Sequence, residues 1–495
     1  MTASDERPSS TGIEGLDRLL RGGYPTHRMH LIEGAPGTGK TTLAMQFLMQ
    51  GREQGERCLY VTLSETTLEL ESVARSHGWS LEGIELQQLA PAGSAPSDEY
   101  TLYHPAEVEL ADLTRTVFER VEAIHPARVV IDSLSELRLL ARDPLRYRRQ
   151  ILGLKEFFAG RETTVLLLDD HSTGEPDLQL QSLAHGVILL EQLPFEFGRA
   201  RRRIRIVKMR GVAATEGFHD FAILRGGVEV YPQLVPGSAT RPRPTGPVRS
   251  NIPELDALLG GGLTWGSSTT LIGPAGVGKS TLAAQYLTAT ANSGQCAAAF
   301  LFDERRSTFL ARCDALGMNA TAAAEAGTLI VDQVEPGETS PGQFARRVQT
   351  CIERHGVTVV GIDTLNGYLT AIPSTDAPLV RMHELLSYLN ESNVATLVVV
   401  AQHGIIGATM HVPLDISYLA DAAVLMRFFE AHGEVRQAIS VVKKRTGAHE
   451  HTIREFRIGP NRIYVGEPLT DFQGVLTGIP RYVGSDAPLL HDDRD

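Results

Sequence analysis

Two stretches of the sequence have the residue types and spacing of a phosphate-binding loop. Both follow the pattern G-x-x-x-x-G-K-[ST], in which glycines let backbone N–H groups converge on a phosphate, the lysine reaches the β- and γ-phosphates and the hydroxyl holds Mg²⁺. Each stretch lies between an apolar, strand-like run and a helical pattern. We therefore predict two ATP·Mg²⁺ sites. Their ATP-binding residues are Gly34, Ala35, Pro36, Gly37, Thr38, Gly39, Lys40, Thr41 and Thr42, and Gly273, Pro274, Ala275, Gly276, Val277, Gly278, Lys279, Ser280 and Thr281.

A carboxylate follows each loop at the same distance. From Lys40 to Glu65 and from Lys279 to Glu304 is 25 positions in both cases, and each glutamate ends a strand-like run. A carboxylate beside the terminal phosphate can polarise the attacking water. Because the interval is kept in both halves, we predict that Glu65 and Glu304 are catalytic.

Two aspartates, Asp132 and Asp363, end short apolar runs further along the chain. Such runs are typical of strands that are buried on both faces of a parallel sheet. An aspartate at the carboxyl end of such a strand lies where α/β sheets bind ligands. We predict that these aspartates, with Thr41 and Ser280, hold Mg²⁺.

The next apolar strands end in His171 and in Gln402. These two side chains are either sensors of the γ-phosphate or hydrogen-bonding residues at a strand end. The sequence leaves both readings open.

Basic residues share one face of a later strand in each half. Strand alternation places Lys208 with Arg210, and Lys443 with Arg445, where they either stabilise phosphoryl charge on a neighbour's nucleotide or line a solvated edge strand. The arginine-rich stretch 199–205 leads into the first pair. We favour a subunit interface near ATP over a grip on DNA phosphates for this stretch.

Composition narrows the class of protein. Asp and Glu (59) outnumber Lys and Arg (47), which gives a net charge of −12 and disfavours a nucleic-acid partner. The four cysteines form no C-x-x-C pair, so they are expected to be reduced. The sequence shows neither a signal-peptide pattern nor an apolar run of membrane-spanning length. These features predict a cytoplasmic protein without a membrane partner.

The repeat sets the domain organisation. Related approach segments precede both loops, which argues for tandem duplication of one domain. We expect an α/β fold with two tandem P-loop NTPase domains, each a mostly parallel sheet flanked by helices. The expected boundaries are a first domain at 1–232, a Pro-rich linker at 233–247, a second domain at 248–482 and an acidic tail at 483–495.

The chain resembles the KaiC family of double-domain ATPases. Both loops, the segments 61–66 and 74–79, Lys208-Met209-Arg210-Gly211 and Lys443-Lys444-Arg445 carry the resemblance, which covers essentially Thr11 to Tyr482. It implies RecA-like domains in a homohexamer with ATP between subunits, Ser/Thr autophosphorylation in the second domain and a KaiB-like or other signalling partner. The positions that it adds to the ATP sites are Ser76, Lys208, Met209, Arg210, Lys443, Lys444 and Arg445.

The sequence departs from the family pattern at functional positions. The adjacent glutamates of the family read Ser64-Glu65 and Asp303-Glu304 here, which leaves Asp303 as the base for phosphorylation. The Ser-Thr phosphoacceptor pair reads Ser417-Tyr418, so Ser417 is either the one acceptor of the pair or an ordinary serine. Leu316 replaces an adenine-side Trp, and the tail past Tyr482 is short.

We therefore expect a hexameric ATPase with serine autokinase activity that acts as a timing or signalling switch. Two alternatives remain at this point. A RecA- or DnaB-like DNA-dependent ATPase would share the fold and the ATP sites. A nucleotide-gated scaffold would bind ATP with little turnover.

Overall fold

A computed structural model gives the structure of the protein. It describes residues 7–89, 105–170, 178–193, 198–234, 245–370, 378–402, 420–431, 433–475 and 481–482. Contacts within the chain divide it into two compact units, Met1–Gln233 and Leu234–Asp495.

The first unit alternates helices and strands before it ends in a run of strands. Its helices are α1 (Glu14–Leu19), α2 (Lys40–Glu53), α3 (Thr67–Ser76), α4 (Pro105–Ile124), α5 (Leu134–Ala141), α6 (Pro144–Phe158) and α7 (Leu178–Leu183). Its strands are β1 (Met29–Gly34), β2 (Cys58–Thr62), β3 (Ile84–Gln88), β4 (Arg128–Asp132), β5 (Thr164–Asp170), β6 (Gly186–Leu193), β7 (Arg201–Met209), β8 (Phe218–Leu224) and β9 (Gly227–Tyr231).

The second unit repeats this order. Its helices are α8 (Pro253–Leu258), α9 (Lys279–Asn292), α10 (Arg306–Ala315), α11 (Ala320–Glu325), α12 (Pro341–His355), α13 (Leu365–Thr370) and α14 (Pro378–Glu391). Its strands are β10 (Ser268–Gly273), β11 (Ala297–Leu301), β12 (Leu329–Gln333), β13 (Val359–Asp363), β14 (Ala395–Ala401), β15 (Ala422–Ala431), β16 (Glu434–Lys444), β17 (Arg454–Ile458), β18 (Ile463–Pro468), β19 (Phe472–Gln473) and β20 (Arg481–Tyr482).

Each unit is built on one nine-stranded sheet. The first has the order β3-β2-β4-β5-β1-β6-β7-β8-β9, and the second repeats it as β12-β11-β13-β14-β10-β15-β16-β17-β18. The first six strands of each order run parallel and the last three are antiparallel. This confirms the expected α/β class with two tandem, mostly parallel sheets.

The central strands are apolar because helices cover both of their faces. All six residues of β1 are buried. Two adjacent residues of β1, Leu31 and Ile32, belong to different core clusters, because successive side chains of a strand point to opposite faces of the sheet. The apolar runs seen in the sequence are therefore the inner strands of a three-layer unit.

The antiparallel part of each sheet reaches back to the phosphate loop. A Cβ on Gly39, whose φ is 103°, would lie 2.7 Å from the Ile223 side chain. A Cβ on Gly278, whose φ is 102°, would lie 2.7 Å from Phe456. Glycine is required at both positions by the backbone angle and by this close packing.

The state of the cysteines and the length of the apolar helices can be compared with the structure. All four cysteines are free. In the part of the chain that the structure describes, every helix is too short or too polar to cross a membrane.

Candidate functional site

The first phosphate loop closes around its own lysine. Gly34 ends β1 and Lys40 begins α2, and the Lys40 side chain is buried. Its ammonium donates to the carbonyls of Gly34 (2.7 Å) and Ala35 (3.1 Å). It also forms an ion pair with Asp170 at the end of β5, with 2.6 Å between Nζ and Oδ1. A carboxylate therefore stands where the charge of a phosphate would be expected.

The second loop holds its lysine differently. Lys279 begins α9, is buried and donates to the Pro274 carbonyl at 2.6 Å. Burial lowers the pKa of Lys279 to about 8, against the opposing effect of Asp363. Strand β14 places Ala401 beside Gly273, just as β5 places Asp170 beside Gly34. The second site thus has no carboxylate at the position of Asp170.

The rest of both loops follows the same plan. The residues at their tips are exposed and those at the helix start are buried or half-buried. The exposed residues are Ala35, Pro36, Gly37, Ala275 and Gly276, and the others are Thr38, Gly39, Thr41, Thr42, Val277, Gly278, Ser280 and Thr281.

A hydroxyl and a carboxylate meet beside each loop. Thr41 donates to Asp132 at 3.1 Å, and Tyr60 donates to the same carboxylate at 2.6 Å. In the second unit Ser280 and Asp363 line the same cavity. Burial raises the pKa of both aspartates. Adjacent hydroxyl and carboxylate oxygens are hard donors that suit Mg²⁺, which keeps several of its own waters.

Glu65 lies beyond its strand and not on it. Strand β2 ends at Thr62, and the Thr62 hydroxyl bonds both the N–H and the carbonyl of Glu65. Burial, reinforced by Asp132, raises the pKa of the Glu65 carboxyl. Among the described residues, its buried Oε2 has no hydrogen-bond partner. The carboxylate is thus available to a water beside the loop.

Glu304 is held by an arginine. Both of its carboxylate oxygens accept from Arg312, at 3.0 Å from Nε and 2.8 Å from Nη2. Its neighbour Asp303 accepts from the Thr364 hydroxyl at 2.6 Å. All four residues line a cavity of 280 Å³ that also includes Lys279 and Asp363. The structure therefore brings the predicted loop, metal and catalytic residues of the second unit together.

Lys208 and Arg210 lie near the amino ends of the parallel strands, whereas the phosphate loop of their unit follows the carboxyl end of β1. Met209 stands beside Gly186 in the antiparallel pair of β7 and β6, and Gly186 pairs with His30 near the start of β1. The loop follows the other end of β1, about 13 Å further along the strand at 3.3 Å per residue. These cations cannot reach the ATP site of their own unit.

The same holds for the second basic run. Lys443 of β16 pairs with Ala423 of β15, and Ala423 pairs with Thr270 of β10. Thr270 precedes the end of β10 at which the loop begins. The cations of both runs donate to backbone carbonyls of their own unit: Lys208 to Gln181, Arg210 to Ser182, Lys443 to Ala420 and Lys444 to Leu259. Burial lowers the pKa of Lys208 and of Lys444.

Four predicted positions remain to be considered. Ser76 ends α3, and its hydroxyl donates to the Val73 carbonyl. The Gln402 N–H donates to the Gly273 carbonyl, which sets this residue beside the second loop. His171 and Ser417 lie outside the described residues.

Sequence reasoning missed three residues that the structure places in the sites. Tyr60 and Arg312 contact the predicted carboxylates. Asp170 belongs to the polar end of β5, where only His171 had been singled out. The signal for Arg312 was its position eight residues after Glu304, which puts it two turns along the helix that follows.

A family model and the similar proteins of known name all point to the same family. The family model described as "ATPase: KaiC" matches residues 9–235 and 248–470. Circadian clock protein KaiC3 of Synechocystis sp. is 25% identical over 480 residues, covering 95% of this chain and 94% of that protein. Circadian clock oscillator protein KaiC of Parasynechococcus marenigrum is 25% identical over 482 residues, covering 96% and 93%.

Asp170 provides a test of the first site. We expect Asp170→Asn to tighten ATP binding about tenfold, because Lys40 would no longer have to give up its ion pair with Asp170 when it binds the phosphates. A tenfold change in affinity corresponds to about 1.4 kcal/mol of binding free energy. Binding of a non-hydrolysable ATP analogue is measured in a Lys279→Ala background, which isolates the first site. Asp169→Asn is the matched control, since Asp169 pairs with Arg138. Unchanged or weaker binding by Asp170→Asn would contradict the competition.

Proposed function

The chain belongs to the KaiC family of ATPases, and from this premise we propose that it binds ATP with Mg²⁺ and hydrolyses it at both sites. One observation carries the proposal. At the carboxyl ends of its parallel strands, each unit gathers a buried loop lysine, a loop hydroxyl beside an aspartate, and a glutamate. These are the groups that phosphoryl transfer to water requires.

Each group has a separate role. The loop N–H groups and the lysine hold the phosphates, and Thr41 with Asp132, or Ser280 with Asp363, would hold Mg²⁺. The metal neutralises charge on the β- and γ-phosphates when bound. Glu65 orients the water and accepts its proton, a task that suits its raised pKa.

Turnover is the direct test of this proposal. We expect Glu65→Gln to lower phosphate release from the first site by about 100-fold, because general-base catalysis typically contributes 10²–10⁴-fold. The measurement uses Mg²⁺ and saturating ATP in the Lys279→Ala background. Glu69→Gln is the matched control, because Glu69 is an exposed residue that caps α3. A fully active Glu65→Gln variant would favour a scaffold that binds ATP without this catalytic residue.

We also propose a homohexamer in which the basic runs act on ATP of a neighbour. Lys208, Arg210, Lys443 and Arg445 lie too far along the sheet to serve their own sites, as shown above. A ring places them beside the loop of the adjacent protomer, as the family resemblance implies. Light scattering with ATP should give about six times the chain mass of 53.8 kDa. A mass that stays at one chain would contradict this assembly.

A serine autokinase activity in the second unit is the finer part of the proposal. The Ser417 hydroxyl would attack the γ-phosphorus of ATP, so that the bond to the β,γ-bridging oxygen breaks and ADP leaves, while the hydroxyl proton passes to Asp303. Support comes from Asp303, which lines the second cavity beside Glu304. Ser417 enters from the sequence alone.

Mass spectrometry after incubation with Mg²⁺ and ATP tests the kinase step. We expect one added phosphate on the wild-type chain, and none on Ser417→Ala or Asp303→Asn. Ser307→Ala, an exposed serine on α10, serves as the control and should remain phosphorylated. Unmodified wild-type protein that still consumes ATP would restrict the function to an ATPase switch.

The cellular role that we propose is a timing or signalling switch in the cytoplasm. Two relatives carry clock-protein names, and a KaiB-like or other signalling protein is the partner that this suggests. The net charge of −12 argues against the DNA-dependent alternative.

A further inference from the structure

The two sites differ in what surrounds the catalytic glutamate, and we propose that Arg312 restrains Glu304 and thereby limits ATP hydrolysis at the second site. In this role Arg312 is a positioning residue. The inference rests on the proposed ATPase function and adds a control point to one of its two sites.

The contact between the two side chains is bidentate. Arg312 Nε and Nη2 lie 3.0 and 2.8 Å from the two carboxylate oxygens of Glu304. The fork geometry of a guanidinium fixes the orientation of a carboxylate as well as its charge. Both groups are largely shielded from water, with side-chain exposures of 27% and 23%. Screening by solvent therefore weakens this pair less than it would an exposed one.

Further contacts hold the arginine in place. Its Nη1 donates to the Thr281 hydroxyl at 3.2 Å, and its guanidinium lies 5.4 Å from the centre of the Phe309 ring. Thr281 belongs to the first turn of α9, directly after the loop. The restraint thus connects Glu304 to the helix that receives the phosphates.

A restrained carboxylate is poorly placed to serve as a general base. A base must offer an oxygen within hydrogen-bond reach of the water that it deprotonates. Both Glu304 oxygens already accept from Arg312, so the glutamate must leave the fork before it can engage the water. The second site therefore hydrolyses ATP slowly for as long as the pair persists.

The first unit shows the same framework without the restraint. Helices α3 and α10 are both ten residues long and begin two residues after their glutamates. The position eight residues after Glu65 is Val73, which packs against the apolar core. Glu65 Oε2 has no hydrogen-bond partner among the described residues. Valine, the residue of the first unit at this position, is therefore the replacement for Arg312 that tests the restraint.

The first test replaces Arg312 in the full chain with the residue of the first unit. In a Lys40→Ala background, which leaves the second site to act, we expect Arg312→Val to raise kcat for phosphate release about tenfold. Binding of an ATP analogue, measured separately, should change less than about threefold. Adding Glu304→Gln should abolish the gain, because the gain depends on the freed carboxylate. Arg306→Val, an exposed arginine of the same helix, should leave the rate unchanged.

The reciprocal test installs the restraint in the first unit. In a Lys279→Ala background, Val73→Arg should lower kcat about tenfold. The guanidinium should also lower the raised pKa of Glu65, so that the remaining activity persists to lower pH than in the parent. A merely structural effect of the substitution would not move this acidic limb. Arg312→Lys, which keeps the charge without the fork, gives a milder replacement where Arg312→Val folds poorly.

The outcomes separate the inference from the function on which it rests. An unchanged or lower kcat of Arg312→Val or Arg312→Lys, with ATP bound normally, would overturn the restraint and make Arg312 neutral or a cation that assists the reaction. A gain that survives Glu304→Gln would also overturn it. By contrast, a Lys40→Ala chain that releases no phosphate, either alone or with Arg312→Val, would refute the proposed function at the second site.

Discussion

Each site is organised around an ammonium group that has been removed from water. The backbone turns of the loops bury Lys40 and Lys279 against carbonyl oxygens of their own chain. A buried cation is costly unless its charge is balanced, so the neighbouring groups must provide that balance. Asp170 does so at the first site. At the second, where Ala401 takes this place, burial lowers the lysine pKa to about 8.

The same electrostatic constraint explains why two copies of one domain need not behave alike. The first site pairs its lysine with a carboxylate, and Val73 stands eight residues after Glu65, where the second unit has Arg312. The second site pairs its glutamate with Arg312 and leaves its lysine without the strand-end carboxylate. Charges are thus balanced at different points of the same framework. In the reaction that we propose, the first arrangement opposes the binding of ATP and the second opposes the activation of water.

The mixed sheet of each unit places two different groups of polar residues at the two ends of its parallel strands. Its parallel strands bring the loop, Asp132 and Glu65 to their carboxyl ends, as parallel pairing requires. Its antiparallel strands reverse direction and carry Lys208 and Arg210 to the opposite end. Their hairpin also packs on the loop glycine through Ile223. The loop and the basic residues therefore lie at opposite ends of one sheet, as the assembly that we propose requires.

Sequence alone predicted the fold class and the tandem repeat, and it marked the candidate loop, metal-binding and catalytic residues along the chain. These follow from local spacing and from apolar runs, which are properties of adjacent residues. It placed Glu65 at a strand end, whereas the strand stops at Thr62 because the Thr62 hydroxyl folds the chain back. The partners Asp170 and Arg312 were decided only by tertiary structure. Their contacts depend on which strand lies beside β1 and on which way a helix turns. The spacing of Arg312 from Glu304 places it on the helix that follows, but this spacing does not by itself fix the contact.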